Sequence, residues 1–375
     1  MMGLCLLHAV VSGPLAPVIL LPETPTMREA FAARELADYV EQMIGARPTV
    51  TEGPAASARG RPRLYVGRAA AGVVPSPHLP PEGFLIRSVP DGVALLGGSD
   101  LASLWAVYHY LEWVCGCGFF WDGEHVPRLA TLPVRGLNIR QLPRFRFREA
   151  IQGCAFGYTT AYWSDEDWRR ELRFMAKKKI NAAMLPLPTA LAWRDTMRQF
   201  GVELAVDEAA ERAQVERWRN LVKYADLLGV RAVAGGFAGA VPREFMDRYP
   251  EARYLRSEWI EGFAPNWSLR GDDPLFAQVG GAFLRNMRRH FPGVHLWNVD
   301  PYPELKLAVS PQEARAVRVA LGKGAAAALA EGDPEGVYVM SAWSFLFDTA
   351  GWPPDVVEEF LGQFPDHRIV LGHED

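Results

Sequence analysis

The segment Val294-His295-Leu296-Trp297-Asn298-Val299 is an apolar, strand-like run that ends abruptly in the turn Asp300-Pro301-Tyr302-Pro303-Glu304. In a (β/α)8 barrel enzyme, side chains at the carboxyl ends of the strands form the active site. A carboxyl group placed there, with aromatic neighbours, suits the proton donor of an enzyme that cleaves sugar linkages. Asp, Pro and Glu are also ordinary residues of a solvated turn before a helix. The segment alone leaves both interpretations open.

Strand-like runs alternate with helical runs on both sides of this segment. That alternation is typical of parallel strands joined by crossover helices. We predict six such strands, at 147–153, 181–185, 230–235, 294–299, 336–341 and 368–372. A closed barrel of this type has eight strands. The prediction for residues 141–375 is therefore an incomplete (β/α)8 TIM-type barrel.

A separate α/β pattern occupies residues 1–140. A strand at 18–21 leads into a helix at 28–44, which Gly45 is placed to end. Further strands follow at 48–51 and 64–67, then a hairpin around Pro90-Asp91-Gly92 and a helix at 101–114. No combination of residues in this small α/β domain forms a catalytic set, so we predict a structural or substrate-flanking role. We predict that residues 132–146, which are basic and rich in proline, form a linker.

Composition excludes several classes of function. Charged residues make up 22% of the chain and the net charge is −4, so neither nucleic acid nor an anionic membrane is an expected partner. The four cysteines lack zinc-ligand spacing, and we predict no metal and no cofactor. Residues 1–11 lack the basic start of a signal peptide, so we expect a cytoplasmic protein, or a secreted one if the start codon is wrongly assigned. The sequence leaves the oligomeric state open.

Polar and aromatic side chains follow the ends of several predicted strands. They are Gln152, Cys154 and Tyr158 after the first strand, Asp300, Tyr302 and Glu304 after the fourth, Ser341, Trp343 and Phe345 after the fifth, and His373, Glu374 and Asp375 after the sixth. The chain has no Gly-x-Ser-x-Gly elbow and no phosphate loop. The chemistry that is left is that of carboxylates acting on a neutral sugar, which points to glycoside hydrolysis. That reaction needs two carboxyl groups flanking the bond. Cys154 has no adjacent His, which favours a buried or pocket-lining thiol over a nucleophile.

Four stretches resemble the α-N-acetylglucosaminidases of glycoside hydrolase family 89, in that family's order. Residues 154–163, Cys-Ala-Phe-Gly-Tyr-Thr-Thr-Ala-Tyr-Trp, resemble the start of its barrel, and Phe237-Ala238-Gly239-Ala240-Val241-Pro242 resembles its third-strand motif. Residues 296–305 are similar to its Asp-x-x-x-Glu segment, and Ala342-Trp343-Ser344-Phe345 to its Gly-Trp-x-Phe. The amino-terminal domain is similar to the α/β domain that precedes the barrel in such glycosidases.

The resemblance implies a retaining mechanism that removes terminal α-linked N-acetylglucosamine or a related sugar. It places Glu304 on the general acid/base and Cys154, Tyr158 and Trp343 in the pocket for the terminal sugar. Asp300 matches the family's preceding acid. The residues that we predict to bind carbohydrate are Gln152, Cys154, Tyr158, Asp300, Tyr302 and Trp343.

Three departures from the family pattern keep other functions open. Pro303 stands where the family has Asn, and an insertion that supplies a pocket Trp is short near Trp193. The family's nucleophilic Glu would lie beyond Asp375, so we expect a truncated or divergent member. The chain is then a glycosidase completed by a second polypeptide, an inactive carbohydrate-binding relative, or an enzyme for a different sugar.

Overall fold

The structure is a computed structural model that describes residues 16–53, 60–75, 78–150, 155–259 and 261–372. Its contacts group into two compact units. The first comprises the chain up to Arg148 together with Asp167–Asn181 and Leu227–Gly229, and the second comprises the remainder. The domain boundary that we predict at residue 140 stays a prediction.

The elements before Arg148 form a mixed six-stranded sheet with helices. In chain order they are β1 (Val18–Leu21), α1 (Met27–Ile44), β2 (Thr49–Glu52), β3 (Arg63–Val66), α2 (Arg68–Ala71), β4 (Phe84–Val89), β5 (Gly92–Gly97), α3 (Asp100–His109), the π-helical turn Tyr110–Val114, β6 (Gly118–Phe120), β7 (Gly123–His125) and β8 (Asn138–Gln141). The sheet order is β2-β1-β3-β5-β4-β8, and the predicted hairpin is the antiparallel pair β4–β5. The linker prediction is wrong at β8, which pairs Ile139 with Ile86 as an edge strand.

Helix α1 shows how local sequence determines this unit. The Thr26 side chain accepts a hydrogen bond from the Glu29 amide, and the Glu29 carboxylate accepts one from the Thr26 amide, which is a capping box. Gly45 ends the helix with φ 73°, a left-handed conformation that favours glycine. The apolar face that includes Leu36 and Val40 is fully buried. The predicted start and stop of this helix are therefore confirmed.

The remaining elements alternate strand and helix. They are β9 (Glu149–Ala150), α4 (Ala155–Tyr158), the 3-10 turn Thr160–Tyr162, α5 (Asp165–Lys177), β10 (Ala182–Met184), α6 (Ala190–Gln199), α7 (Glu208–Leu227), β11 (Arg231–Gly235), α8 (Arg243–Arg248), β12 (Tyr254–Glu258), β13 (Asn266–Leu269), α9 (Pro274–His290), β14 (Leu296–Asn298), β15 (Lys306–Leu307), α10 (Pro311–Gly332), β16 (Val337–Ser341), α11 (Trp343–Phe347), α12 (Pro354–Leu361) and β17 (Ile369–Gly372). From Asp167 onward, helix α5 groups with the first unit.

The core of the second unit is a six-stranded parallel sheet with the order β17-β16-β14-β11-β10-β9. Every neighbouring pair in it is parallel. Successive residues Tyr338, Val339 and Met340 of β16 are all buried, so both faces of this strand are covered, as parallel sheets require. The six predicted strands are present in the predicted order, which confirms an incomplete TIM-type barrel.

Two of the helices of this unit, α9 and α10, approach each other closely. A Cβ atom added at Gly332 would lie 2.6 Å from the Gly281 carbonyl oxygen, so a side chain there would collide with the neighbouring helix. Asp273 caps α9, because its Oδ1 accepts from the Leu275 amide at 2.9 Å. Its Oδ2 accepts from the Arg253 amide at 2.8 Å, which joins this cap to the start of β12.

A small antiparallel sheet with the order β13-β12-β15 lies outside the parallel sheet. Strand β12 pairs with β13 from Tyr254–Leu269 to Ser257–Asn266, and with β15 at Ser257–Leu307 and Glu258–Lys306. These strands were not predicted from the sequence. They matter for the site because β15 begins two residues after Glu304.

Candidate active site

The loop after β14 is fastened to the end of β16 by Asp300. The Ser341 amide donates to Asp300 Oδ1 at 3.0 Å. Asn298, the last residue of β14, donates from Nδ2 to Asp300 Oδ2 at 3.5 Å and to the Val339 carbonyl at 3.3 Å. Because neighbouring parallel strands end at the same edge, these bonds hold two adjacent strand ends together.

The turn that follows carries two left-handed residues that are not glycine. Tyr302 has φ 53° and Glu304 has φ 56°. Such a conformation costs on the order of 1–3 kcal/mol for each residue, and it persists where the surroundings hold it. The Tyr302 ring supplies part of that hold, since its side chain is buried. Burial raises the pKa of the Tyr302 phenol above its usual value, although Arg270 and Arg318 act in the opposite direction.

The carboxylate of Glu304 is held by two tryptophans. Trp259 Nε1 donates to Glu304 Oε2 at 3.1 Å, and Trp343 Nε1 donates to Glu304 Oε1 at 3.1 Å. Each oxygen accepts one N–H group and keeps a further lone pair for a ligand. We call Glu304 with these two indoles the indole clamp. An acid in an ordinary solvated turn would lack such partners, so the clamp favours the functional interpretation of the turn.

The small sheet and helix α11 bring the members of the indole clamp together. Trp259 directly follows β12, and Glu304 shortly precedes β15, which pairs with β12 at Glu258–Lys306. Trp343 begins α11, and its amide donates to Ser341 Oγ at 3.0 Å. One donor therefore arrives from the antiparallel sheet and the other from the end of β16.

Large apolar side chains are exposed around the clamp. Trp259 packs against Phe263 with ring centroids 5.4 Å apart, and Trp343 against Phe347 at 5.6 Å. The exposed set around the clamp comprises Trp259, Phe263, Trp343 and Phe347. An exposed apolar patch beside polar groups is typical of a ligand-binding surface.

The structure brings together part of the predicted site. Glu304 and Trp343 are in contact, Asp300 holds the loop, and Tyr302 is buried within the turn. Tyr158 lies at the end of α4 with its side chain exposed. Gln152, Cys154, His373, Glu374 and Asp375 lie outside the described residues. The roles of all these residues stay predictions.

Sequence reasoning missed Trp259. Trp259 follows the run Tyr254-Leu255-Arg256-Ser257-Glu258. In the structure the burial of these side chains alternates along most of the run. That alternation is typical of a half-buried strand. Recognising the strand would have placed an aromatic residue at its end.

Two absences concern the part of the chain that the structure describes. Within it, no group of three or more His, Cys, Asp or Glu side chains is arranged to hold a metal ion. No helix there is both long enough and apolar enough to cross a bilayer. Cys115 and Cys117 are buried thiols, and burial raises their pKa values to about 12 and about 11.

A sequence-family model and a curated relative point to the same family. The sequence model described as the alpha-N-acetylglucosaminidase (NAGLU) TIM-barrel domain matches residues 148–210 and 204–372. Human alpha-N-acetylglucosaminidase is 22% identical over an alignment of 309 positions, which covers 74% of this chain and 41% of the human protein. The chain thus spans less than half the length of this curated relative.

Solved structures show the same fold. One is the family 89 enzyme of Clostridium perfringens with two glutamates replaced by glutamine, in complex with its substrate GlcNAc-alpha-1,4-galactose. It has a TM-score of 0.63 and 17% identity, over 77% of this chain and 35% of that one. Another is the family 20 beta-N-acetylhexosaminidase of Streptomyces coelicolor, with a TM-score of 0.54 and 14% identity over 96% of this chain and 67% of that one.

Proposed function

The chain belongs to the alpha-N-acetylglucosaminidase TIM-barrel family, and from this we propose that it cleaves terminal α-linked N-acetylglucosamine from a carbohydrate. The observation that carries the proposal is the indole clamp. It presents a single carboxyl group after a barrel strand, where barrel enzymes react. The exposed aromatic side chains around it supply a surface for a sugar ring.

In this proposal Glu304 is the general acid. It donates a proton to the glycosidic oxygen as the bond to the leaving sugar breaks, and later takes a proton from the attacking water. The two indole N–H groups fix the plane of the carboxyl group and leave one position on each oxygen for the proton that it transfers. The strained turn supports this role because it aims the side chain without a flexible backbone.

A retaining reaction also needs a second carboxylate about 5–5.5 Å from the first. We do not assign Asp300 to that role. Its Oδ1 is already engaged by the Ser341 amide, so we assign it to holding the loop. We assign the attacking carboxylate to none of the described residues.

A second candidate function is carbohydrate binding without hydrolysis. Pro303 favours it, because proline lacks the amide with which the family's Asn could orient the acid or bond the sugar's 2-substituent. The attacking carboxylate that hydrolysis needs is also assigned to none of the described residues. The exposed aromatic surface would serve binding equally well. The two functions differ in their effect on one disaccharide: a binding protein leaves it intact, and a hydrolase cleaves it.

The test is release of galactose from GlcNAc-α-1,4-galactose by the 375-residue chain. Hydrolysis requires an attacking carboxylate from outside the described residues; given that carboxylate, we expect the rate to fall about 10²–10⁴-fold in Glu304→Gln, which keeps the shape of the side chain but cannot act as an acid. Glu335→Gln is the matched control, because Glu335 is 80% exposed in the same unit.

Three outcomes separate the candidates. Binding of the disaccharide without release of galactose would favour the binding protein. An undiminished rate in Glu304→Gln would show that another residue is the acid. An equal loss in Glu335→Gln would show that the effect is not specific to the clamp.

A further inference from the structure

A cleft of about 560 Å³ lies within the first unit, to which all of its lining residues belong. It is bounded by β8 and the residues that follow this edge strand, by the end of α3, and by the residues directly after α5. Clefts of this size hold small organic molecules in many proteins. The sequence predicted only a structural or substrate-flanking role for this unit, so the cleft has no assigned function.

Three cations line the cleft, and two of them have acidic partners. Lys178 Nζ forms an ion pair with Glu112 at 2.6 Å, and Arg148 forms one with Glu82 at 3.1 Å. Among the described residues, the ammonium group of Lys179 has neither a hydrogen bond nor an ion pair. The cleft therefore keeps one positive charge without a partner.

The surroundings of Lys179 make that charge unfavourable. Burial lowers the pKa of its ammonium group, Glu112 acts in the opposite direction, and the like charges of Lys178 and Arg148 lower it further. His109 is neutral at pH 7, because burial and the nearby Lys179 lower its pKa to about 4. A single negative charge bound beside Lys179 would stabilise the ammonium group.

The backbone also singles out Lys179, because it is left-handed there, with φ 62°. The Lys179 amide donates to the Ala176 carbonyl at 3.0 Å and the Ile180 amide to the Met175 carbonyl at 3.0 Å, which is a common way for a helix to end. Glycine usually occupies the left-handed position of this motif. Arg148 Nε donates to the Lys179 carbonyl at 2.6 Å and fixes this residue at the cleft. A lysine where the local structure favours glycine indicates a role for its side chain.

Apolar side chains after and within β8 form another wall of the cleft. Leu142 is 59% exposed, and Ile139 and Pro143 line the same cleft. An exposed apolar group near a charge without a partner is typical of a ligand-binding surface. The matching ligand has an apolar body and a negative charge.

We propose that this cleft binds a small monocarboxylate with an apolar body. The carboxylate forms an ion pair with Lys179, and the body packs against Leu142, Ile139 and Pro143. One cation without a partner favours a singly charged carboxylate over a doubly charged phosphate. The proposal concerns the first unit alone and is independent of the role of Glu304.

Isothermal titration calorimetry of the 375-residue chain at pH 7 tests the proposal with three probes. Hexanoate has both the charge and the apolar body, hexanamide lacks the charge, and acetate lacks the body. We expect hexanoate to bind, and hexanamide and acetate each to bind about tenfold more weakly or less.

Variants at the cleft separate a binding role from a structural one. Lys179→Gly should weaken hexanoate binding about tenfold or more, because the ion pair is lost. Its melting temperature should be unchanged or higher, because glycine adopts the left-handed conformation without strain. Lys179→Arg should keep most of the affinity, and Leu142→Asn should lower it about threefold. Lys223→Ala is the control, since Lys223 is an exposed lysine of the second unit.

The inference would be overturned if hexanoate failed to bind the unaltered chain, or if hexanamide or acetate bound as tightly as hexanoate. An unchanged affinity in Lys179→Gly would show that this lysine does not hold the carboxylate. A loss as large in Lys223→Ala would reveal general attraction to surface lysines instead of a site. None of these outcomes bears on the assignment of Glu304.

Discussion

The carboxyl group of Glu304 is oriented by two indole N–H groups and by a left-handed backbone conformation. The indoles engage both oxygens, at 3.1 Å each, and the backbone at φ 56° is held by a buried neighbour, Tyr302. Hydrogen bonds to a charged group contribute more than those between neutral groups, about 1.5–3 kcal/mol each. The orientation of this carboxyl group therefore depends chiefly on Trp259 and Trp343.

Removing one indole donor at a time should weaken catalysis but not folding. Trp259→Phe and Trp343→Phe each keep an aromatic ring and delete one N–H group. We expect kcat for the disaccharide to fall about tenfold or more in each variant, because the acid loses its fixed orientation. KM should change less than kcat, and the melting temperature should stay close to that of the unaltered chain.

Steady-state kinetics and a thermal melt measure both effects, with Trp113→Phe as the comparison because Trp113 is an exposed tryptophan of the first unit. Unchanged kcat in both clamp variants would show that the indoles do not orient the acid. A matching fall in melting temperature would instead identify them as supports of the fold.

At the residue scale, the acid and one of its partners, Trp343, were predicted from the sequence, but the other partner, Trp259, was not. Glu304 could be found because it follows an apolar run with turn residues, a purely local pattern. The contact with Trp259 depends on the pairing of β12 with β15, which are far apart in sequence. Single-sequence patterns carry little information on such long-range antiparallel pairing, so Trp343 was predicted and Trp259 was missed.

At the element scale, the small sheet depends on one buried side chain. Asp273 accepts from the Leu275 amide at the start of α9 and from the Arg253 amide just before β12, and it is 8% exposed. The same carboxylate therefore caps a barrel helix and fixes the strand that leads to Trp259. Loss of a cap costs about 1 kcal/mol, and loss of a hydrogen bond to a charged group costs about 1.5–3 kcal/mol.

Asp273→Ala should therefore destabilise the second unit by about 2–4 kcal/mol. Ser310→Ala is the matched control, since Ser310 caps α10 with a single bond to the Glu313 amide at 3.3 Å on an exposed surface. We expect about 1 kcal/mol for it. Urea denaturation followed by tryptophan fluorescence measures the difference, and equal effects would show that the Arg253 contact contributes nothing.

The helices and the parallel strands were the predictable elements. The predicted bounds of α9 match the structure because Asp273-Pro274 begins it and an apolar periodicity runs through it. Most strands of the parallel sheet are mainly apolar, with β9 (Glu149–Ala150) as the exception, and their regular alternation with helices identified them. The strands β12, β13 and β15 have two to five residues with mixed polarity, and β8 has a similar composition. Their positions depend on tertiary pairing, which explains why they were missed.

For the whole molecule, the order of the barrel strands follows from the sequence. Six strands joined by crossovers give a parallel sheet in chain order, which is the order observed. The grouping of the chain into its two compact units could not be predicted in the same way. Helix α5 groups with the first unit through long-range contacts, including the Lys177–Glu124 ion pair and the Arg173–Glu35 pair at 2.9 Å.

In the proposed mechanism Glu304 donates a proton to the leaving group. Two substrates whose leaving groups differ in their need for that proton test this role. Fluoride departs without protonation, whereas galactose does not. Values of kcat/KM for α-N-acetylglucosaminyl fluoride and for GlcNAc-α-1,4-galactose should be compared between the unaltered chain and Glu304→Ala. We predict a fall of about 10²–10⁴-fold for the disaccharide and a much smaller fall for the fluoride. An equal loss on both substrates would contradict the assignment of Glu304 as the general acid.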